Sequence, residues 1–244
     1  MLAHRHGTHA REVYQTSTMS ALLDGVYDGD VTVAELLRHG DFGLGTFNRL
    51  DGEMLILDGV CHHLHADGTI TVAGPDELTP FATVTWFRPD HRIEITGRAD
   101  RAAVTAAVDA ALGTANLIVA VAITGEFDIV HTRTVTEQHR PYPPLTEATA
   151  GQREATFARI RGTLAGFRMP DYEQGVAVAG YHLHFIDDAR SRGGHVLDYR
   201  LRSATVELGI ESEMHLSLPR TAVFLRADLN PADLGSQIRD TEGG

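Results

Sequence analysis

One segment, Gly180-Tyr-His182-Leu-His184-Phe-Ile-Asp-Asp-Ala-Arg-Ser-Arg-Gly-Gly-His195-Val-Leu-Asp-Tyr199, carries the clearest structural signal in the chain. Its first residues alternate as in a β-strand, where residues two apart share a face, so His182 and His184 project together. If the polar residues 187–194 form a hairpin loop, Ile186 lies opposite His195, which places His195 on the same face. The segment therefore predicts an antiparallel hairpin that presents three histidines on one side.

Three histidines on one face of an apolar hairpin favour a metal site over core hydrogen bonding. Three imidazole nitrogens with one position left open are the coordination of a catalytic zinc, whereas a structural zinc is closed by four protein ligands, usually with cysteines. Cys61 is the one cysteine in the sequence and cannot complete such a set. We therefore expect a metal ion, in a coordination typical of catalytic zinc, to be bound by His182, His184 and His195.

Two other histidine-rich stretches favour simpler roles. Residues 1–12 contain His4, His6 and His9 among small polar residues and predict a flexible tail. The stretch Cys61-His-His-Leu-His65 precedes a tight Asp-Gly turn, and no further histidine follows closely. We interpret it as structural or surface-exposed.

Charge and composition exclude several classes of protein. The chain has 244 residues, with 21 Lys+Arg against 33 Asp+Glu, and a net charge of −12. Such an acidic chain would repel nucleic acid and anionic membrane surfaces. The longest apolar run, residues 117–123, is too short to span a bilayer. The lone cysteine and the absence of an apolar signal segment at the N-terminus predict a cytoplasmic protein.

The pattern of residues along the chain predicts a mixed fold of the α/β (α+β) class. Residues 42–96 form short runs rich in Val, Ile, Thr and aromatic residues, separated by Asp-Gly and Gly-Pro turns, as in a sheet. Residues 99–112 are Ala-rich with helical spacing and end at a glycine, which predicts a helix. Further strands are expected at 117–123, 127–135, 157–167, 176–186, 195–201, 203–210 and 213–218.

A proline-rich segment suggests where the chain divides. Residues 140–145 read Arg-Pro-Tyr-Pro-Pro-Leu and cannot form a helix interior or a central strand. We therefore expect an N-terminal subdomain over 13–140, built on a mixed sheet. A C-terminal subdomain over 141–244 would hold the metal on a mainly antiparallel sheet and end in a helix after Asn230-Pro231.

Many short motifs, in the same order and spacing, resemble those of the alpha-acetolactate decarboxylase family. They include DFGLGTF (41–47), GYHLHF (180–185) and GGHVLD (193–198). The other matching segments are residues 13–19, 50–59, 80–84, 132–135, 141–145, 162–167 and 216–219. The resemblance covers nearly the whole chain.

This resemblance implies a function and a set of site residues. It implies a homodimeric enzyme that decarboxylates 2-acetolactate to acetoin, with zinc on the three histidines acting as electrophile. The substrate site would be lined by Glu53, Arg133, Thr46 and a C-terminal glutamate, for which Glu242 is the matching residue. Arg133 would orient the substrate carboxylate, and Glu53, assisted by Glu242, would deliver the proton.

Two other classes share part of the histidine pattern. A cupin-like metal oxygenase would carry Glu where Asp188 stands and a second metal-binding motif downstream, and neither is present. A non-catalytic, metal-bearing assembly or DNA-associated module fused to AT-hooks would carry basic segments, which this acidic chain lacks.

Overall fold

The computed structural model describes residues 11–242. Of the tail predicted over 1–12, residues 1–10 lie outside this range, and Glu12 already begins the first strand. The strands are β1 (Glu12–Thr16), β2 (Val31–Thr32), β3 (Phe42–Thr46), β4 (Glu53–Leu57), β5 (Val60–Leu64), β6 (Ile70–Val72), β7 (Leu78–Thr79), β8 (Phe81–Thr85), β9 (His91–Asp100), β10 (Ile118–Thr134), β11 (Arg153–Met169), β12 (Gly180–Asp187), β13 (Gly193–Glu211) and β14 (Glu213–Ser217). The α-helices are α1 (Met19–Leu23), α2 (Val33–Leu36), α3 (Arg101–Leu112), α4 (Leu145–Ala148) and α5 (Leu234–Glu242).

The first large sheet is mixed, as the sequence predicts for the N-terminal part. Its strands lie in the order β14, β1, β8, β3, β4, β5, β6 within the described part of the chain. The β14 strand pairs with β1 in parallel, and the other neighbours are antiparallel. A separate antiparallel pair, β2 and β7, lies beside it.

The second large sheet is antiparallel and closes on itself. Strand β10 pairs with β11, β11 with β12, β12 with β13, and β13 again with β10. These four strands therefore form a small barrel, and β9 extends it by pairing with β13. The α+β class, with one mixed and one antiparallel sheet, is confirmed.

The boundary predicted at residue 140 does not separate the two sheets. Strands β9 and β10 precede it but belong to the barrel, and β14 follows it but belongs to the first sheet. The proline-rich segment lies in the connection between β10 and β11, two antiparallel neighbours in the same barrel. A segment that breaks regular structure can therefore be a loop within one sheet as well as a linker between two.

Strand β10 is continuous where the sequence predicts two strands, at 117–123 and 127–135. Gly125 lies in its middle, packed so closely on β13 that a Cβ there would lie 2.3 Å from the Ser203 carbonyl oxygen. The pairing with β13 shifts register beside Phe127. Gly125 therefore permits a close crossing in a bent strand rather than ending it.

The two sheets pack face to face around a shared apolar core. Leu44 and Leu55 of the first sheet meet Ala165, Phe167 and Ile186 of the barrel. A second core fills the other side of the barrel beneath α3, whose ends are the Asp100 cap and the left-handed Gly113. Across residues 11–242, no helix has the length and apolar character needed to span a membrane.

The β12–β13 hairpin places its three histidines on the predicted common face, but the register of its two strands differs from the predicted one. His184 lies opposite His195, and Ile186 lies opposite Gly193 rather than His195. The Asp187 carboxylate accepts bonds from the backbone N–H groups of Ser191 and Arg192, which makes the loop shorter than predicted. The observed pairing differs from the predicted pairing by two residues. Because side chains alternate with period two, the three histidines still share a face.

Candidate active site

The three hairpin histidines converge on one point. Their ring centroids are 5.0 to 5.4 Å apart, and one nitrogen from each ring lies within 4.8 Å of the others. His184 Nδ1 lies 2.8 Å from the Met54 carbonyl oxygen and donates to it, which fixes the ring's orientation. His184 Nε2, on the other side of the ring, is buried and has no hydrogen-bond partner.

Burial keeps these imidazoles neutral. Desolvation, followed by the positive charge of Arg133, lowers the pKa of His182 to about 3. Desolvation, followed by His182, lowers the pKa of His184 to about 3, and burial also lowers the pKa of His195 well below its ordinary value. Neutral imidazoles are the form that binds metal. The donor set and the unpartnered His184 nitrogen therefore fit a divalent metal ion such as zinc.

Arg133 extends the row of histidines onto the next strand. It is the β10 residue directly opposite His195. Its Nη2 donates to the Thr241 carbonyl oxygen at 2.8 Å and lies 3.3 Å from Glu242 Oε2, while its Nη1 lies 3.6 Å from Glu53 Oε1. The Nε atom is buried without a partner. The guanidinium is thus held at the cavity between two carboxyl groups.

Glu53 enters the site from the other sheet, as the first residue of β4. Its Oε1 accepts a bond from the Val135 N–H at 3.2 Å, and its Oε2 lies 3.6 Å from His184 Nε2. Burial raises the pKa of Glu53 to about 7, although Arg133 acts in the opposite direction. The Glu53 carboxyl group can therefore hold a proton near neutral pH.

Glu242 lies in the last described turn of α5 and closes the site from a third direction. Its Oε2 is 3.5 Å from His182 Nε2 and 3.6 Å from His195 Nδ1. This oxygen is buried and has no hydrogen-bond donor. His195 Nε2 lies 3.3 Å from the backbone carbonyl oxygen of Glu242, so α5 also contacts the outer side of that ring.

Together these groups surround a small cavity of about 30 Å³. Its polar lining consists of Thr46, Glu53, Arg133, His182, His184, His195 and Glu242, and its apolar lining includes Met19, Leu22, Leu50, Phe81, Val135 and Leu145. The Thr46 hydroxyl donates to the Gly52 carbonyl oxygen at 2.7 Å. The structure thus brings all seven predicted site residues to one cavity, between the sheets.

Comparison with known proteins places this arrangement in a family. The sequence pattern that defines alpha-acetolactate decarboxylases matches residues 13–231. The alpha-acetolactate decarboxylase of Methylococcus capsulatus is 47% identical over 228 residues, which cover 93% of this chain and 88% of that protein. The Bacillus subtilis protein of the same name is 45% identical over 232 residues, covering 95% and 91%. The chain belongs to the alpha-acetolactate decarboxylase family.

Solved structures agree with this assignment to the alpha-acetolactate decarboxylase family. The crystal structure of alpha-acetolactate decarboxylase from Bacillus subtilis strain 168 has a TM-score of 0.94 and 45% identity, and the match covers 96% of this chain and all of that one. A Staphylococcus aureus protein described as similar to alpha-acetolactate decarboxylase has a TM-score of 0.91 and 32% identity, covering 95% and 100%. The protein is therefore an enzyme of the carboxy-lyase class, and not a cupin-like oxygenase or a DNA-associated module.

Several groups in this decarboxylase site have no counterpart in the sequence analysis. The Met54 carbonyl oxygen, the Val135 N–H and the Thr241 carbonyl oxygen orient His184, Glu53 and Arg133 respectively. These are backbone atoms, so no residue type marks them in a sequence. The apolar wall of the cavity was also not predicted, because its residues resemble ordinary core positions; it consists of Met19, Leu22, Leu50, Phe81, Val135 and Leu145.

Proposed function

We propose that the protein is a zinc-dependent decarboxylase that converts 2-acetolactate to acetoin and CO2. The observation that carries this proposal is the grouping of three neutral imidazoles, one guanidinium and two carboxyl groups around a single buried cavity. The family assignment supplies the reaction, and these side chains match what the reaction needs.

The reaction requires an acceptor for an electron pair and a donor of one proton. The bond between C2 and the carboxylate breaks, CO2 leaves, and the electron pair moves toward the oxygen of the adjacent ketone. A proton then returns to C2 and gives acetoin. Zinc on three neutral ligands would keep its double positive charge and supply Lewis-acid stabilisation of negative charge on the substrate oxygens.

Arg133 is suited to bind the substrate carboxylate. A guanidinium presents parallel N–H donors that match the two oxygens of a carboxylate. Arg133 is fixed by the Thr241 carbonyl and flanked by Glu53 and Glu242, and its Nε is unpartnered. It can therefore hold the carboxylate in one orientation and so set the direction in which the C–C bond breaks.

Glu53 is suited to deliver the proton. Its Oε1 is anchored by Val135 N–H, while its Oε2 points toward the histidines. A carboxyl group fixed on one side of the substrate delivers its proton to one face of C2, so the product would be a single enantiomer. Glu242 approaches the same space from α5 and would assist the transfer.

Thr46 and the apolar wall would complete substrate binding. The Thr46 hydroxyl hydrogen is directed to Gly52, which leaves its oxygen lone pairs free to accept a bond from a substrate hydroxyl. The Met19, Leu50 and Phe81 side chains line the cavity and would contact the substrate's methyl groups. These apolar contacts would also exclude water, which strengthens the electrostatic interactions within the site.

The test is the formation of acetoin from racemic acetolactate, with the product resolved on a chiral column. Zinc-loaded protein should form one enantiomer rapidly, and chelator-stripped protein should lose this activity and recover it when zinc returns. Because acetolactate also decarboxylates unaided, a sample without protein gives the background rate. Slow, racemic acetoin from protein shown to contain zinc would reject the proposal.

We also infer, from the resemblance to the family, that the enzyme acts as a homodimer in the cytoplasm. Sedimentation equilibrium of the purified protein tests the first part, since a monomer has a mass of 26.5 kDa. Fractionation of the cells that produce it tests the second.

A further inference from the structure

The second histidine-rich stretch contains a side chain that is buried behind the site. His63 lies on β5, on the same face as Cys61, which packs in the core on the outer side of the first sheet. Its ring is stacked between Phe47 and His65, with centroid distances of 3.7 and 3.8 Å. Both ring nitrogens contact acceptors: Nδ1 lies 3.1 Å from Glu77 Oε2, and Nε2 contacts the Asp51 carbonyl oxygen closely.

The partner of His63 Nε2 belongs to the turn that leads into Glu53. Over residues 49–52 this turn contains three residues with positive φ, Arg49 at 66°, Leu50 at 54° and Gly52 at 78°. A Cβ on Gly52 would lie 2.3 Å from the Leu64 carbonyl oxygen, so the turn packs tightly on β5. The two carbonyl groups just before Glu53 are each held by a side chain, that of Asp51 by His63 and that of Gly52 by Thr46.

We propose that His63 is a positioning residue for Glu53, acting through its contact with the Asp51 carbonyl oxygen. The two stacked rings hold the imidazole, its Nε2 donates to the Asp51 carbonyl oxygen of the turn, and the turn sets where Glu53 enters β4. This inference rests on the proposed function, in which Glu53 delivers the proton. It revises the interpretation of this stretch as merely structural or surface-exposed.

A metal ion on the same cluster is a different explanation that the geometry disfavours. Asp51, His63 and His65 offer ligand atoms within 4.8 Å of one another. However, a metal ion lies near the plane of each imidazole it binds, and the two rings are stacked with only 29° between their planes. Both nitrogens of His63 also already have partners. A positioning role therefore fits the contacts better than a second metal site.

The test compares two substitutions of His63 whose side chains differ in length by one methylene group. In His63→Gln the amide nitrogen is as far from the backbone as imidazole Nε2 and can still donate to the Asp51 carbonyl. In His63→Asn the amide nitrogen is one bond closer to the backbone and cannot reach the Asp51 carbonyl oxygen. His39→Asn is the matched control, because the His39 ring is also stacked on an aromatic side chain of this sheet, but its ring partners are Tyr14 and His215 rather than His63 or the turn.

We expect His63→Asn to lower kcat about 10-fold and to reduce the enantiomeric excess of acetoin, because small displacements of a catalytic group have large effects on rate. KM and zinc content should stay near wild type, and His63→Gln and His39→Asn should behave like wild type in all four measurements. Loss of enantiomeric excess distinguishes positioning from a general loss of folded protein, which thermal unfolding measures separately.

Three results would overturn the inference. The first is wild-type kcat and enantiomeric excess in His63→Asn. The second is an equal loss in His63→Gln and His63→Asn, which would show that the donor to Asp51 is not what matters. The third is two zinc ions per wild-type chain with one lost in both His63→Asn and His65→Asn, which would indicate a metal site. Racemic product from the wild type would instead reject the proposed function itself.

Discussion

Glu53 and Glu242 face the same guanidinium but are held in different ways. Glu53 has a backbone N–H on one oxygen, whereas Glu242 Oε2 is buried without a donor. Arg133 lies between them and can balance only one full negative charge. Because an uncompensated buried charge is costly, this arrangement favours one carboxyl group in its protonated form.

Replacing Glu53 by Gln removes the proposed proton donor while keeping the side chain's shape. We expect kcat to fall by about 10²- to 10⁴-fold, the usual contribution of general acid catalysis. The three histidines are untouched, so zinc content should not change. Steady-state kinetics and metal analysis check this. Glu211→Gln is the matched control, since Glu211 is also buried but lies outside the cavity, and wild-type kcat in Glu53→Gln would exclude Glu53 as the donor.

Replacing Arg133 by Lys keeps the charge but removes the planar pair of donors. A single ammonium group cannot contact Thr241, Glu242 and a substrate carboxylate with the same geometry. We expect kcat/KM to fall about 10- to 100-fold, as for the loss of a charge-assisted hydrogen bond. The same substitution at Arg168, a buried arginine outside the cavity that contacts Leu117 and Asp109, should leave kcat/KM unchanged. An unaltered kcat/KM in Arg133→Lys would contradict carboxylate binding by Arg133.

For individual residues, the sequence predicts well which side chains lie in the site and predicts poorly which backbone groups orient them. The common face of His182, His184 and His195 follows from strand alternation and survives an error of two residues in register. The grouping of Glu53, Arg133, Thr46 and Glu242 came from family resemblance, because these residues are far apart in sequence. The Met54 carbonyl that orients His184 could not be predicted, since any residue supplies a carbonyl.

Helix α5 brings one buried and one exposed acidic residue to its last turn. Glu242 faces the histidines and Arg133, whereas Asp240 is exposed. We expect Glu242→Gln to lower kcat at least about 10-fold, since a positioned acid or base typically contributes more than this. Asp240→Asn should leave kcat unchanged. Kinetics of the two variants tests whether α5 contributes chemistry, and equal activities would show that it only covers the cavity.

The strand elements show where local sequence signals stop being informative. The Ala-rich helix was predicted over 99–112 and is found at Arg101–Leu112, because its cap residues are local signals. By contrast, residues 195–201 and 203–210 were predicted as two strands and form part of the single strand β13. A long, coiled barrel strand contains small or polar residues where it bends, and these resemble strand ends in a sequence.

The stability of the whole molecule should depend on pH through Glu211. Burial raises the pKa of Glu211 to about 7, from 4.5 in an unfolded chain, and its Oε1 has no hydrogen-bond partner. Below pH 4.5 the Glu211 carboxyl group is neutral in both the folded and the unfolded chain, so it has no effect on the free energy of unfolding. Between pH 4.5 and 7 the unfolded chain ionises at this group while the folded protein keeps it protonated, so the free energy of unfolding falls across this range and is lower by about 1 to 3 kcal/mol above pH 7.

Glu211→Gln should therefore stabilise the protein at pH 8 by about 1 to 3 kcal/mol and have little effect near pH 4.5. Urea unfolding at the two pH values measures this difference. The pKa of Glu94 is lowered by its bonds to Thr205 and Arg92, so Glu94→Gln should give no stabilisation at pH 8. Equal unfolding free energies for Glu211→Gln and wild type at pH 8 would contradict the expected charge burial.

The assignment of strands to sheets lies beyond local sequence patterns. Strands β9 and β10 precede the proline-rich segment yet pair with strands that follow it, and β14 pairs with β1 near the other end of the chain. These pairings are long-range, and each strand's own sequence is compatible with either sheet. The predicted character of the two large sheets, one mixed and one antiparallel, is correct because composition and alternation carry that information, whereas the small β2–β7 pair was not predicted.

The pairing of β14 with β1 has a consequence for how the enzyme is made. Within the described residues, β14 covers the side of β1 that faces away from β8, and it is synthesised long after β1 has left the ribosome. Until residues 213–217 emerge, the nascent first sheet presents the bare backbone of β1 to the cell, an edge of the kind that other chains can pair with. Co-translational chaperones would therefore have most to protect at β1, and truncation before residue 213 should yield aggregates rather than a smaller soluble protein.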